Sequence, residues 1–191
     1  MNVAIYCGSS FGNNKIYEES TKILAKKLAL KNYNIVYGGS EQGLMGIISN
    51  ESLKYNNKVI GVITFDLAQK ELENKNITEI YRVNTIDERK EKMAMMADAA
   101  VALPGGCGTL EELLDVITWK QLGIFTKPII IVNIDGYYDS LIDMLHRAVE
   151  ENFMRELHKD IWTVVGSVEE VVDAIRISPK WDKSVRKFAA L

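Results

Sequence analysis

Three short turns hold the residues of this chain best suited to bind an anion: "CGSS" at 7–10, "GGSEQG" at 38–43 and "PGGCG" at 104–108. Each follows a short apolar run and leads toward a helical pattern. Glycine lets the backbone approach an anion closely, and the first-turn N–H groups of a helix add free donors and a favourable dipole. A phosphate-bearing ligand is the chemistry they imply, with Gly8, Ser9, Gly39, Gly105, Gly106, Cys107 and Gly108 as candidate contacts. No G-x-x-x-x-G-K-[ST] sequence occurs, and Glu111 stands where a dinucleotide fingerprint starting at Gly106 needs its third small residue. The spacing favours a mononucleotide over a P-loop triphosphate or NAD.

Two charged side chains could act on such a ligand. Glu112 completes T-x-x-E with Thr109, so spacing alone allows it to cap a helix or to point into the ligand crevice. Arg89 falls on an apolar stripe of Ile86, Met93, Met96 and Ala97. A guanidinium there needs a carboxylate, a ligand anion, or room to snorkel at the stripe's edge. Lys90 lies on a neighbouring face. Cys107 sits in the third turn, but neither His146 nor His158 lies in a comparable turn, so a Cys–His nucleophile pair has little support. No group of side chains has metal-ligand spacing.

These residues need a scaffold that brings three turns together. Strand patterns run at 3–7, 34–39, 58–64, 79–84, 99–104, 127–133 and 161–165, and helical patterns at 15–30, 43–55, 86–97, 109–123, 140–152 and 167–176. The polar stretch 66–78 has no clear pattern. Strands alternating with helices at this spacing imply right-handed βαβ units and a parallel sheet. The runs at 99–104 and 127–133 lack polar alternation, as strands covered on both faces do. The expected fold is α/β: a Rossmann-like three-layer sandwich, with a mostly parallel sheet flanked by helices. All strand-to-helix turns then share the carboxyl edge, where such sheets bind ligands.

The 191 residues suit one domain over 1–178 followed by a tail at 179–191 that carries Lys180, Lys183, Arg186 and Lys187. A hydrophobic share of 47%, a charged share of 26% and a net charge of −3 fit an ordinary globular protein and give no footprint for nucleic acid. No apolar run approaches the roughly 18 residues of a membrane span. The first residues read as a strand, not a signal peptide. Two cysteines, Cys7 and Cys107, make no disulfide framework, so a reducing cytoplasm is the expected compartment.

Beyond these readings, "PGGCGTLEE" resembles the P-G-G-x-G-T-x-x-E signature of the LONELY GUY family, the cytokinin riboside 5′-monophosphate phosphoribohydrolases long labelled lysine decarboxylase-like. "AIYCGSS", "VYGGSEQGLMG", "ERKEKM", "LEELLDVITWKQLGI" and "KPIIIVNIDGYYDSL" are similar to family blocks in family order, over roughly residues 2–175. The resemblance implies cleavage of the N-glycosidic bond of AMP or N6-substituted AMP, giving free base and ribose 5-phosphate. It implies a homodimer or larger assembly and no metal or organic cofactor. Carried over by position, Arg89 and Glu112 are the catalytic pair, and Glu79, Lys90, Gly105, Gly106, Cys107, Gly108, Thr109 and Glu111 fall on substrate-contacting positions. Two departures bear on substrate preference: Ser40 replaces a family glycine, and "IDERK" with Asp87 stands where many members have "MHERK". A nucleosidase for another base and a non-catalytic nucleotide binder are the alternatives. No lysine has a context suited to a pyridoxal Schiff base.

Overall fold

The computed structural model describes residues 1–70 and 72–181. Seven parallel strands form one sheet in the order β4-β3-β2-β1-β5-β6-β7. They are β1 (Asn2–Tyr6), β2 (Asn34–Tyr37), β3 (Val59–Thr64), β4 (Glu79–Val83), β5 (Ala99–Ala102), β6 (Ile129–Val132) and β7 (Thr163–Val165). The helices between them are α1 (Lys15–Leu30), α2 (Gly43–Leu53), α3 (Phe65–Gln69), α4 (Ile86–Met96), α5 (Cys107–Gln121), α6 (Asp139–Glu150) and α7 (Val171–Ile177). The Rossmann-like three-layer architecture is the one the alternating patterns imply.

Alternate residues of β1 show why both faces are apolar. Val3 and Ile5, with Cys7 just beyond the strand, pack into one core with Leu24 and Leu28 of α1, Ile48 of α2 and Val171 of α7. Ala4 and Tyr6 face the other core, with Met93 of α4, Leu113 and Ile117 of α5 and Leu145 of α6. Two cores back to back bury residues 3–6 of β1 and 35–37 of β2, leaving only Asn2 and Asn34 at the strand starts partly exposed.

The chain runs outward from β1 to β4, and α4 then carries it back to β5 on the other side of β1. The winding therefore reverses between β1 and β5, the place where open α/β sheets form a ligand crevice. Their exit turns are tied together: the amide of Gly8 donates to the Pro104 carbonyl at 3.0 Å, and that of Leu44 to the Gly8 carbonyl at 3.1 Å.

The structure corrects several boundaries. β2 and β5 stop before their glycine turns, at Tyr37 and Ala102, because the chain must leave the ladder to form them. The unpatterned stretch 66–78 contributes α3, capped by the Thr64 hydroxyl, which accepts from the Leu67 amide at 3.3 Å. Beyond it the chain pairs with the second glycine turn, through Glu41 N–H to the Leu72 carbonyl (3.1 Å) and Asn74 N–H to the Gly39 carbonyl (2.8 Å). The last helix starts at Val171, not 167, because the Glu170 carboxylate accepts from the Ser167 amide and hydroxyl and closes a turn there instead. Within the expected tail, residues 182–191, and with them Lys183, Arg186 and Lys187, lie outside the described residues.

Candidate active site

A cavity of about 350 Å³ opens at the switch between β1 and β5. Residues from all three glycine turns line it: Cys7, Gly8 and Ser9; Gly38, Ser40 and Gln42; and Gly106, Cys107, Gly108 and Thr109. Arg89 and Glu112 complete its polar wall, while Met45, Ile63, Leu67 and Leu72 form an apolar side.

The two T-x-x-E sequences of the chain behave differently. At α4, the Thr85 hydroxyl accepts from the Glu88 amide at 3.0 Å and Glu88 Oε2 accepts from the Asn84 amide at 2.7 Å, which seals that helix start. At α5 the Thr109–Glu112 capping box, one of the two alternatives the spacing allows, does not form. The helix begins two residues earlier, at Cys107, with Gly106 as its N-cap and no side chain capping it. Thr109 is thus already inside the first turn, with its hydroxyl packed against Gly105. No side chain caps the first-turn amides, and Glu112 is left free of the cap.

Glu112 instead meets Arg89. Nη1 of Arg89 lies 3.0 Å from Oε1 of Glu112, and the two side chains are only 12% and 9% exposed. Arg89 Nε also donates to the Val62 carbonyl at 2.9 Å, which fixes the plane of the guanidinium. Burial pushes the Glu112 carboxyl up to about 7; the charge of Glu111 adds to this and that of Arg89 opposes it. Desolvation outweighs the ion pair here. The result is a carboxyl poised to exchange a proton near neutrality, beside a fixed cation.

Gly38 was not among the expected contacts, although it stands beside Gly39 in the same turn. A Cβ on Gly38 would fall 1.9 Å from Nη2 of Arg89, so only glycine leaves room for the guanidinium. Gly39 makes the turn itself, with φ at +77°, and does not line the cavity. Gly106 and Gly108 differ again. A Cβ at either meets nothing within 4 Å, so no protein atom demands glycine there, and both positions face open space at the cavity.

Other expected contacts lie elsewhere. Lys90 Nζ is buried among Asp115 (2.8 Å), Glu111 (2.8 Å) and Asp87 (3.0 Å), which together raise its pKa. This cluster ties α4 to α5 and keeps Lys90 and Glu111 off the cavity wall. Asp87, one of the two departures, is part of it. Ser40, the other, lines the cavity, with its hydroxyl accepting from the Gln42 amide at 3.1 Å. Glu79 opens β4 opposite Ile60, near the amino end of the sheet, and pairs with Lys58 at 2.7 Å. The cavity is at the carboxyl edge, so Glu79 does not line it. Gly8 lines the cavity, but its N–H and carbonyl are both occupied by the neighbouring turns.

Among the described residues no group of three or more His, Cys, Asp and Glu could hold a metal ion, and no helix is long and apolar enough to cross a membrane.

Residues 45–175 match the family model described as "Possible lysine decarboxylase". The chain is 41% identical over 187 residues to the probable cytokinin riboside 5′-monophosphate phosphoribohydrolase LOGL2 of Oryza sativa subsp. japonica, covering 97% of this chain and 77% of that one. It is equally identical, over 97% and 88% of the two chains, to cytokinin riboside 5′-monophosphate phosphoribohydrolase LOG2 of Arabidopsis thaliana. In fold it is similar to the molybdenum cofactor binding protein of Rippkaea orientalis, with a TM-score of 0.70 at 18% identity over 92% and 94% of the chains. The Moco carrier protein of Chlamydomonas reinhardtii gives a TM-score of 0.71 at 15% identity over the same shares. At such identities the two structures speak for the fold alone.

Proposed function

The chain belongs to the LONELY GUY family of cytokinin riboside 5′-monophosphate phosphoribohydrolases, and on that footing we propose that it hydrolyses the N-glycosidic bond of AMP or N6-substituted AMP. The products are the free base and ribose 5-phosphate. The single observation that carries the assignment of roles is the buried Arg89–Glu112 pair, 3.0 Å apart, in the wall of the cavity that the glycine turns also line.

In this reading the uncapped amides at 106–109 hold the 5′-phosphate, aided by the helix dipole. That places the sugar beside Glu112. As the bond from C1′ to the base breaks, its electron pair leaves with the base and positive charge grows on the ribose ring. The Glu112 carboxylate stabilises that charge and takes a proton from the water that adds to C1′. The proton then passes to the departing base, so the carboxylate is regenerated. Arg89 holds the substrate and the orientation of Glu112, and the apolar wall of Met45, Ile63, Leu67 and Leu72 receives the base side of the ligand. No step calls for a metal or an organic cofactor.

The enzyme acts as a homodimer in the cytoplasm. Exposed Met95 and Ile124 beside the groove formed with Trp119 and Phe125 support self-association, and the unpaired thiols of Cys7 and Cys107 support a reducing compartment. Sedimentation of the purified chain tests the dimer.

Incubation with AMP, N6-isopentenyl-AMP, GMP, CMP, UMP and their nucleosides tests the activity. Release of adenine or isopentenyladenine with ribose 5-phosphate is the expected result. Preferred turnover of another base would favour a different nucleotide nucleosidase. Tight AMP binding without turnover would mark a nucleotide-binding protein instead.

A further inference from the structure

Two adjacent tyrosines of the β6–α6 turn hold the third glycine turn from behind. The Tyr138 hydroxyl donates to the Leu103 carbonyl at 2.6 Å, and the Tyr137 hydroxyl to the Gly105 carbonyl at 2.6 Å. The two bonds fall on either side of Pro104. Tyr138 is buried, whereas Tyr137 is 43% exposed and lines a side compartment of about 200 Å³ on the other side of Gly105 and Gly106.

The turn that presents them is itself held on several sides. Asp135 and Gly136 take the left-handed conformation, with φ of 53° and 70°. Asn133 Oδ1 accepts from the Tyr138 amide at 2.7 Å, its Nδ2 donates to Asp139 at 2.7 Å, and Asn14 donates to Asp135 at 3.2 Å. The Tyr137 ring also meets Tyr17 and Tyr138 edge-on, at centroid distances of 5.8 and 5.0 Å. A phenol fixed this firmly is a rigid donor.

We propose that Tyr137 is a positioning residue for the phosphate end of the substrate, acting through the Gly105–Gly106 peptide. This rests on the reading that the amides at 106–109 hold the phosphate. In a trans peptide the carbonyl and the following N–H point in opposite directions. With the Gly105 carbonyl turned to Tyr137, the Gly106 N–H points away from the side compartment and toward the cavity. Glycine on both sides means that no Cβ restrains the plane of that peptide. The tyrosine supplies the restraint that the glycines lack.

The test compares Tyr137→Phe with Tyr138→Phe in the full chain. Tyr137→Phe is expected to raise KM for AMP and the inhibition constant of ribose 5-phosphate together, by about tenfold, the scale of one lost hydrogen bond. Its kcat stays within about twofold and its Tm stays near that of the parent. Tyr138→Phe, which leaves a buried carbonyl unpaired, lowers Tm while KM and the inhibition constant hold. A Tyr137→Phe enzyme with both constants unchanged, or with Tm lowered and the constants unchanged, overturns the proposal. If the parent enzyme ignores ribose 5-phosphate and cleaves adenosine as well as AMP, the phosphate reading itself fails, and the proposal with it.

Discussion

Arg89 Nη1 lies 3.0 Å from Glu112 Oε1, across 23 residues of sequence and from two different helices, in surroundings dry enough to push the carboxyl up to about 7. A surface ion pair at this distance would hold a carboxylate below its usual range. Here the loss of hydration wins, and Arg89 only limits the rise.

The first consequence is a pH dependence with a defined sign. Glu112 must be ionised to accept a proton from water, so kcat/KM is expected to rise with pH through about 7. Replacing Arg89 with Gln removes the charge that favours the ionised form, so the same limb should move to higher pH. Initial rates between pH 5 and 9 give both curves. A limb that stayed in place in the Arg89 variant would separate the two residues.

Glu112→Gln should lower kcat by about 10²–10⁴-fold, the usual share of a general base. Stability should move the other way. The folded-state pKa of Glu112 is raised, so its favourable contribution is complete below the ordinary carboxylate range and fades as pH climbs through about 7. At pH 8 the Gln variant should therefore melt no lower than the parent, as followed by circular dichroism. Full activity in a folded Glu112→Gln enzyme would sink the assignment of its role.

Two glycine-to-alanine changes should separate packing from ligand contact. In Gly38→Ala the new methyl meets the Arg89 guanidinium at 1.9 Å and the Met45 sulfur at 2.9 Å, so Arg89 must move and kcat should fall steeply. In Gly106→Ala the methyl enters open space, so Tm should hold while KM for AMP rises as the methyl competes with the phosphate. Steady-state kinetics and melting curves on both variants distinguish the cases.

Lys90→Met should act on the fold more than on the ligand. It removes the cation shared by Asp87, Glu111 and Asp115. A loss of roughly 1–3 kcal/mol is expected from the charged hydrogen bonds, read as a lower denaturant midpoint, with little change in KM. Glu79→Gln, at the far edge of the sheet, should leave KM unchanged. A large KM effect in either variant would return that residue to the site.

The alternation of apolar runs and helical patterns determined the parallel three-layer fold, because each strand had to bury both faces and each helix one. Glycine after a strand marked the three turns, since few other residues let the backbone approach an anion so closely. Arg89 on an apolar stripe left a carboxylate, a ligand anion or snorkelling as its fate, and the family resemblance named Arg89 and Glu112 as the catalytic pair; that the two meet is seen only in the structure. Only the tertiary structure decided between the two fates of a T-x-x-E sequence. Thr85 and Glu88 seal their helix, while Thr109 and Glu112 do not, because α5 starts two residues earlier at an uncapped glycine. Likewise Lys90, adjacent to Arg89, turns to the α4–α5 seam, and Glu79 falls at the wrong edge of the sheet. Gly38 and Tyr137 could not be singled out from their glycine- and tyrosine-rich neighbours. Local spacing reports which groups a segment offers; where the helix begins, which face turns inward and how dry a carboxylate becomes are set by packing between distant parts of the chain.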